Sequence, residues 1–135
     1  MKWLLDTDVC IDVLRGRHEV VKRFRARMPE DFVLSVVTEF ELIQGAGRAP
    51  VEYRVAERTK VGLFLGRLKV VPFDSECARL AGEINAGLLN DGTPVGIMDV
   101  FIAATALRLG VPVVTGNMRD FSRIKGLALL DWREA

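Results

Sequence analysis

At 135 residues, half of them hydrophobic and 27% charged, the chain has the length and composition of one globular domain and is too short for two of ordinary size. Its formal net charge of +1 neither favours nor excludes nucleic acid, and no run approaches the ~20 apolar residues of a membrane span. No extended apolar region follows the first residues, so no signal peptide is expected, and Cys10 and Cys77 fit no metal-ligand spacing. These features predict a single domain over residues 1–135, in a reducing cytoplasm where both thiols are buried.

Short apolar runs alternate along the chain with longer segments of helical period. Strands are expected at 2–5, 32–37, 68–73, 111–115 and 127–132, and helices near 8–15, 19–28, 38–46, 51–66, 75–90 and 97–109. The strand runs lack a clean alternation of polar and apolar residues, which is typical of strands covered on both faces. The pattern predicts an α/β fold built on a mostly parallel sheet flanked by helices.

Three acidic residues occur where strands end or the following helices begin. Asp6 ends the first strand, Glu41 lies early in the helix after the second strand, and Asp99 opens the helix near 97–109. In open α/β sheets ligands bind beyond the carboxyl ends of the strands, so these three carboxylates are expected to converge there. Two carboxylates ~4 Å apart repel by about 4 kcal/mol at an effective dielectric near 20, and a divalent cation relieves that repulsion. An all-oxygen site of this kind suits Mg²⁺ or Mn²⁺ better than zinc.

Each acidic residue also has an interpretation without function. Asp8 is expected to cap the first helix rather than to bind metal directly, and Asp12 to lie on a solvated face. Thr38 and Glu41 have the spacing of a helix capping box. Asp99 is harder to explain in this way, because it opens a helix that is apolar almost all round and a buried unpaired carboxylate is costly.

Positive charge is concentrated in residues 15–27, which contain six cationic residues and one acidic residue and so carry a net charge of +5. Four of these residues are candidates for binding the phosphates of a nucleic acid, namely Arg15, Arg17, Lys22 and Arg23. The alternative is an ordinary solvated helix face.

Several other chemistries lack their required residues. The one histidine, His18, lies in the basic segment, which disfavours a Ser-His-Asp triad and a histidine zinc site. The segment "GAGRAP" at 45–50 lacks the last glycine of a dinucleotide fingerprint, and no phosphate-binding Walker loop occurs.

Three stretches in order carry a resemblance to a known family. They are "LLDTDVCIDVLRG" from residue 4, "LSVVTEFELIQG" from residue 34 and "DGTPVGIMDVFIAATALRLGVPVVTGNMRDFSRIKGL" from residue 91. The chain resembles the PIN-domain ribonucleases and, within them, the VapC-type toxins of prokaryotic toxin-antitoxin pairs. The resemblance implies a five-stranded sheet of order 3-2-1-4-5 and an Mg²⁺-dependent endoribonuclease that cleaves RNA phosphodiesters with a metal-activated water, Mn²⁺ being a substitute.

The resemblance also implies roles for individual residues. Asp6, Glu41 and Asp99 correspond to the acidic cluster that binds metal directly or through water. A further acidic position falls on "TGNMRDF", where this chain has Asn117, so either Asp120 supplies the carboxylate or Asn117 orients a water. Thr115 corresponds to a supporting hydroxyl. The implied partners are an RNA substrate, a second copy of the chain in a homodimer, and a VapB-type antitoxin that docks on the helices near 38–66.

Two other functions remain open at the level of sequence. The segment "DTDVC" nearly matches the nucleophile motif of haloacid-dehalogenase-type phosphohydrolases, although Cys10 stands where that motif has Thr or Val. The second alternative is a non-catalytic module that binds RNA or a partner on the same fold.

Overall fold

The computed structural model describes residues 1–134 and is built on one five-stranded sheet. The strands are β1 (Trp3–Leu5), β2 (Phe32–Ser35), β3 (Lys69–Val71), β4 (Val113–Val114) and β5 (Leu129–Leu130). All neighbouring strands pair in parallel in the order β3-β2-β1-β4-β5, which confirms the order implied by the resemblance.

Within residues 1–134, seven α-helices connect and cover these strands. They are α1 (Thr7–Leu14), α2 (His18–Arg25), α3 (Val36–Gly47), α4 (Val51–Arg67), α5 (Ser75–Asn90), α6 (Ile97–Leu109) and α7 (Met118–Phe121), with a 3₁₀ turn at Pro29–Asp31. The five strands and six helices expected from the sequence are all present, although the strands are shorter than predicted. The short α7 and the 3₁₀ turn were not predicted, because single turns carry too few residues to show a period.

Two predicted helix starts are wrong. Asp6, not Asp8, caps α1, because Asp6 has an extended backbone and its carboxylate accepts a hydrogen bond from the Thr7 N–H at 2.8 Å. The cap of α3 is Ser35, whose Oγ accepts from the Val37 N–H at 3.1 Å. Helix α3 therefore begins before the predicted residue 38, and Thr38 is buried inside it instead of opening a capping box.

The two faces of the sheet carry separate hydrophobic clusters, because side chains alternate along each strand. Leu4 packs into the cluster that includes α5 and α6, whereas Leu5 packs into the cluster that includes α1, α3 and α4. Helix α6 is buried on most sides, as predicted, with no exposure at Val100, Ile102 and Ala103. This burial fixes the first turn of α6 beside the carboxyl ends of β1 and β4.

An aromatic cluster stabilises the second of these faces, and we define it as Trp3, Phe24, Phe32, Phe64 and Trp132. Phe32 is central to the cluster: its ring centroid lies 5.1 Å from that of Phe24 and 5.6 Å from that of Trp132. The Arg27 guanidinium lies 5.0 Å from the Trp3 ring centroid and 5.3 Å from that of Trp132, within cation–π range.

Both cysteines are buried and free, as predicted. Within residues 1–134, no helix is both long and apolar enough to span a bilayer.

Candidate active site

The carboxyl ends of the neighbouring strands β1 and β4 place two polar residues side by side. Asp6 directly follows β1 and Thr115 directly follows β4, and the Thr115 Oγ1 donates a hydrogen bond of 2.7 Å to Asp6 Oδ2. The main chain continues the pairing, since the Asp6 N–H donates to the Val114 carbonyl at 2.9 Å. Asp6 is only 4% exposed, so its charge is largely removed from water.

Asp8 lies one residue beyond Thr7 in the first turn of α1, next to Asp6. Its Oδ2 accepts a hydrogen bond from the Gly116 N–H at 3.0 Å, whereas its Oδ1 is buried without a hydrogen-bond partner among the described residues. Burial raises the pKa of the Asp6 carboxyl well above its usual range, and the charge on Asp8 raises it further. The hydrogen bond from Thr115 acts in the opposite direction and lowers that pKa.

Glu41 reaches the same edge from α3 through a hydroxyl pair. The Thr7 Oγ1 donates to Glu41 Oε1 at 2.7 Å and lies 3.0 Å from Thr38 Oγ1. Thr7 thereby links two carboxylates, because its N–H donates to Asp6 while its hydroxyl holds Glu41.

Asp99, in the first turn of α6, is partly buried and linked to the segment after β4. The Asn117 amide Nδ2 donates to Asp99 Oδ2 at 3.2 Å and to Asp120 Oδ2 at 3.1 Å. Partial burial raises the pKa of the Asp99 carboxyl from its ordinary value, and the charges on Glu41 and Asp120 raise it further. Both candidates for the last acidic position therefore contact this edge, with Asn117 between the two carboxylates.

We refer to Asp6, Asp8, Glu41, Asp99 and Asp120 as the acid cluster.

Asp12 was expected on a solvated face, and that prediction is wrong: it is 8% exposed and accepts a hydrogen bond of 2.8 Å from Arg133 Nε. A second cation, Arg17, lies 3.9 Å from Asp12. The buried charge of Asp12 is therefore compensated by arginine, whereas Asp6, Glu41 and Asp99 have no cationic partner within 4 Å among the described residues.

The donor set of the acid cluster fits a hard divalent cation. Its side chains present carboxylate oxygens, two of its carboxyls have raised pKa values, and Asp8 Oδ1 is a buried acceptor without a partner. In the described part of the chain, however, no three His, Cys, Asp or Glu side chains stand close enough together to hold one ion. A cage of three direct carboxylate ligands is thus not formed in this conformation. Mg²⁺ does not need one, because it commonly keeps several waters and binds one or two protein carboxylates.

The predicted phosphate-binding residues are divided between two environments. Arg15 is exposed and lines the same groove as Glu41, and Lys22 is also exposed. Arg23 instead donates to the Asp131 and Glu134 carbonyls, at 3.4 and 2.6 Å, and Arg17 faces Asp12. The guanidinium of Arg23 is therefore engaged within the fold.

Sequence reasoning missed Thr7, Thr38, Gly116 and Arg133. A hydroxyl between two acids, as in Asp6-Thr7-Asp8, is a signal that pointed to Thr7. Nothing in the sequence pointed to Arg133, which lies 121 residues from the Asp12 carboxylate that it contacts.

The fold and the acid cluster together define a class: α/β domains that gather carboxylates at the carboxyl edge of a parallel 3-2-1-4-5 sheet. Comparisons with known proteins agree with this class. A family model described as PIN domain matches residues 3–127. The chain is 36% identical to the tRNA(fMet)-specific endonuclease VapC of Salmonella typhimurium and 32% identical to Ribonuclease VapC2 of Haemophilus influenzae, and each match covers 98% of both chains.

Solved structures agree with the sequence relatives. A chain of the DNA-bound VapBC crystal structure from Salmonella typhimurium superposes with a TM-score of 0.90 at 35% identity, covering 98% of both chains. A chain of VapBC-1 from nontypeable Haemophilus influenzae gives a TM-score of 0.83 at 28% identity, covering 99% of this chain and 100% of that one. This chain belongs to the PIN-domain family and, within it, to the VapC-type group. The match favours a nuclease fold over the dehalogenase-type alternative.

Proposed function

We propose that this chain is a divalent-metal-dependent endoribonuclease, with Mg²⁺ as the cation and Mn²⁺ as a substitute, and that it is the toxin of a toxin-antitoxin pair. The acid cluster at the carboxyl edge of the sheet, in a chain of the VapC-type group, carries this proposal. Ribonucleases are named among its relatives, and the similar solved structures include VapBC complexes.

Asp6 and Asp99 are the carboxylates that we assign to hold the cation, with Glu41 contributing directly or through water. Burial and like charge support this assignment, because a cation would offset the costs that raise the pKa values of Asp6 and Asp99. When bound, the cation lowers the pKa of a water and offsets negative charge that develops on the phosphoryl oxygens.

The remaining steps fall to side chains of this chain. Thr7 holds Glu41 Oε1, which leaves Oε2 to accept the proton of the attacking water. Thr115 fixes the orientation of Asp6, and Asn117 keeps Asp99 and Asp120 close together in spite of their like charges. Arg15, exposed beside the Glu41 groove, is assigned to RNA phosphates, which the acid cluster alone would repel.

A VapB-type antitoxin is the proposed protein partner, docking on α3 and α4. A groove of ≈ 380 Å³ runs between α1, α3 and α4 and includes Glu41 in its lining. Tyr53 in its lining is 60% exposed, and Ile43 on α3 is 55% exposed. A segment bound there would cover Glu41 of the acid cluster. We further propose that the toxin acts as a homodimer in the cytoplasm, where its two buried thiols stay reduced.

The first substrate to test is the initiator tRNA, because tRNA(fMet)-specific endonucleases are among the relatives. Purified protein is incubated with total RNA, with an initiator tRNA transcript and with an elongator tRNA transcript, in Mg²⁺, Mn²⁺ or EDTA. We expect cleavage at one discrete site of the initiator tRNA in Mg²⁺ or Mn²⁺ and none in EDTA, with the cut mapped by primer extension.

Two variants purified in the same way serve as controls. Asp6→Asn is expected to lose cleavage, whereas Asp91→Asn, which changes an exposed acid after α5, is expected to cut like the wild type. Equal cutting by Asp6→Asn would indicate a contaminating nuclease or a different site. RNA binding by wild-type protein without cleavage in either metal would favour the non-catalytic module.

A further inference from the structure

The segment after β5, residues 131–134, crosses back to α1 and is fixed in place. Arg23 holds two of its carbonyls, and Trp132 is 3% exposed within the aromatic cluster. The main chain is therefore fixed before and after Arg133, and this places the Arg133 side chain at a defined position beside the acid cluster.

The Arg133 guanidinium contacts both acids on one side of α1. Its Nε donates to Asp12 Oδ2 at 2.8 Å, and its Nη2 lies 3.7 Å from Asp8 Oδ2. It also lies against the main chain after β4, since a Cβ placed on Gly116 would come within 2.5 to 2.7 Å of three guanidinium atoms. The absence of a side chain at position 116 is thus what lets Arg133 reach Asp8.

These contacts restrict the two oxygens of Asp8 in different ways. Oδ2 is next to the Gly116 N–H and the Arg133 guanidinium, whereas Oδ1 is buried and has no donor among the described residues. One oxygen of the Asp8 carboxylate is thus held by donors, and the other is buried without a donor. This is the arrangement expected of a carboxylate that binds a cation through its second oxygen.

We propose that Arg133 is a positioning residue of the active site: anchored on Asp12, it holds Asp8 Oδ2 so that Asp8 Oδ1 stays available as an additional oxygen for the divalent cation. The role in catalysis rests on the proposed nuclease function, but the arrangement itself is tested by metal binding alone.

Arginine suits this position because its planar fork donates to Asp12 and approaches Asp8 at the same time, which a lysine ammonium at the end of a flexible stem does not reproduce. Arg133→Lys therefore keeps the charge and changes the geometry. We expect it to weaken Mn²⁺ binding, measured by calorimetry without RNA, by about 10-fold, the size typical of losing a group that orients a metal ligand.

Gly116→Ala is a second, independent way to displace the guanidinium. It keeps Arg133, the Gly116 N–H and every charge, and the φ angle of Gly116 is not positive, so the backbone accepts alanine. We expect the same direction of change in Mn²⁺ affinity as for Arg133→Lys. Arg108→Lys is the matched control, since Arg108 pairs with Asp74 and Glu76 on another surface, and its Mn²⁺ affinity should equal that of the wild type.

Two further measurements separate positioning from other roles of Arg133. If it acts through Asp8, the effect of Arg133→Lys on Mn²⁺ affinity disappears in an Asp8→Asn background. With RNA, kcat should fall while KM changes little; a phosphate ligand would instead raise KM and reduce the salt dependence.

Unchanged Mn²⁺ affinity in both Arg133→Lys and Gly116→Ala overturns the proposal. So does an Arg133→Lys effect on Mn²⁺ affinity that is as large in the Asp8→Asn background as in the wild type. A wild-type protein that binds no Mn²⁺ overturns it as well. A parallel fall in melting temperature and kcat with unchanged Mn²⁺ affinity assigns Arg133 a purely structural role and also overturns it. RNA cleavage by the wild type is scored separately, so failure of the nuclease function remains distinguishable.

Discussion

The aromatic cluster and the acid cluster are built by opposite rules on one small sheet. In the aromatic cluster the rings of Phe24 and Phe32 stack, and the Arg27 guanidinium lies over two tryptophans and donates to the Arg23 carbonyl. In the acid cluster like charges are crowded and partly buried, so that the pKa values of Asp6 and Asp99 are raised. The first arrangement lowers the free energy of the folded state, and the second raises it.

The difference separates a region that maintains the fold from the region that we propose for chemistry. Arg27 lies over two tryptophan rings and donates to a carbonyl, whereas Asp8 Oδ1 has no partner among the described residues. Buried polar groups left in this way cost stability and are retained at functional sites. Substitutions in the two clusters should therefore separate stability from activity.

The largest effect is expected from Asp99→Asn. It removes one assigned cation ligand, so RNA cleavage should fall on the order of 10³-fold. Because a charge next to Glu41 and Asp120 is removed, the melting temperature in EDTA at pH 8 should stay the same or rise. Cleavage is measured with end-labelled RNA and stability by circular dichroism. Asp99→Asn protein that cuts at the wild-type rate would remove Asp99 from the site.

The next largest effect is expected from Phe32→Ala in the aromatic cluster, which should lower stability and leave activity unchanged. Phe32 is 1% exposed and contacts three other rings, so its loss should lower the free energy of unfolding by about 3 to 5 kcal/mol. Denaturant titration measures this change, with the half-exposed Phe40→Ala as the matched control, expected within about 0.5 kcal/mol of the wild type. Cleavage per folded molecule should not change, and a selective loss of activity would mean that the two clusters are coupled.

A smaller effect is expected from Thr7→Val, which keeps the shape of the side chain and removes its hydroxyl. Glu41 Oε1 loses a hydrogen bond of 2.7 Å, so kcat should fall about 10-fold while the KM for RNA is unchanged. Thr59→Val is the control, since the exposed Thr59 hydroxyl donates to the Val55 carbonyl of its own helix and not to a carboxylate of the acid cluster. Equal rates for Thr7→Val and wild type would show that Glu41 does not need this orientation.

The smallest effect concerns the pH dependence of stability. A carboxyl with a raised pKa binds its proton more tightly in the folded chain, so the free energy of unfolding falls as pH rises from the unfolded pKa, about 3.9, through the folded pKa. In EDTA, Asp6→Asn should therefore gain stability over wild type, on the order of 1 kcal/mol at pH 8, and no such gain should appear below about pH 4. Denaturant midpoints at both pH values measure this gain. The control variant Asp91→Asn should have the same stability as the wild type at both pH values. A gain of equal size at pH 4 would mean that charge is not its cause.

Much of the fold was predictable because it depends on local pattern. The apolar runs predicted every strand, and helices α5 and α6 have the predicted bounds. The starts of α1 and α3 were not predictable, because Asp6 and Asp8, or Ser35 and Thr38, are all chemically acceptable caps. Only the position at which each strand stops pairing decides between them.

The site was predictable to the extent that parallel strands bring their carboxyl ends to one edge. That rule predicts Asp6 and Asp99 at one edge of the sheet, and in the structure they lie close enough for the charge on Asp99 to raise the pKa of Asp6. It said nothing about the hydroxyl of Thr7 or the guanidinium of Arg133. Long side chains that cross from distant segments depend on how loops pack, and no periodicity in the sequence records that packing.

The contact between Asp6 and Thr115 joins residues 109 positions apart, because β4 inserts beside β1 only after most of the chain has been made. Pairings so distant in sequence form late and slowly during folding. A partial chain that ends before β4 therefore lacks both the strand and the Thr115 hydroxyl that hold Asp6 in place, so the acid cluster is assembled only when nearly the whole polypeptide has been synthesised.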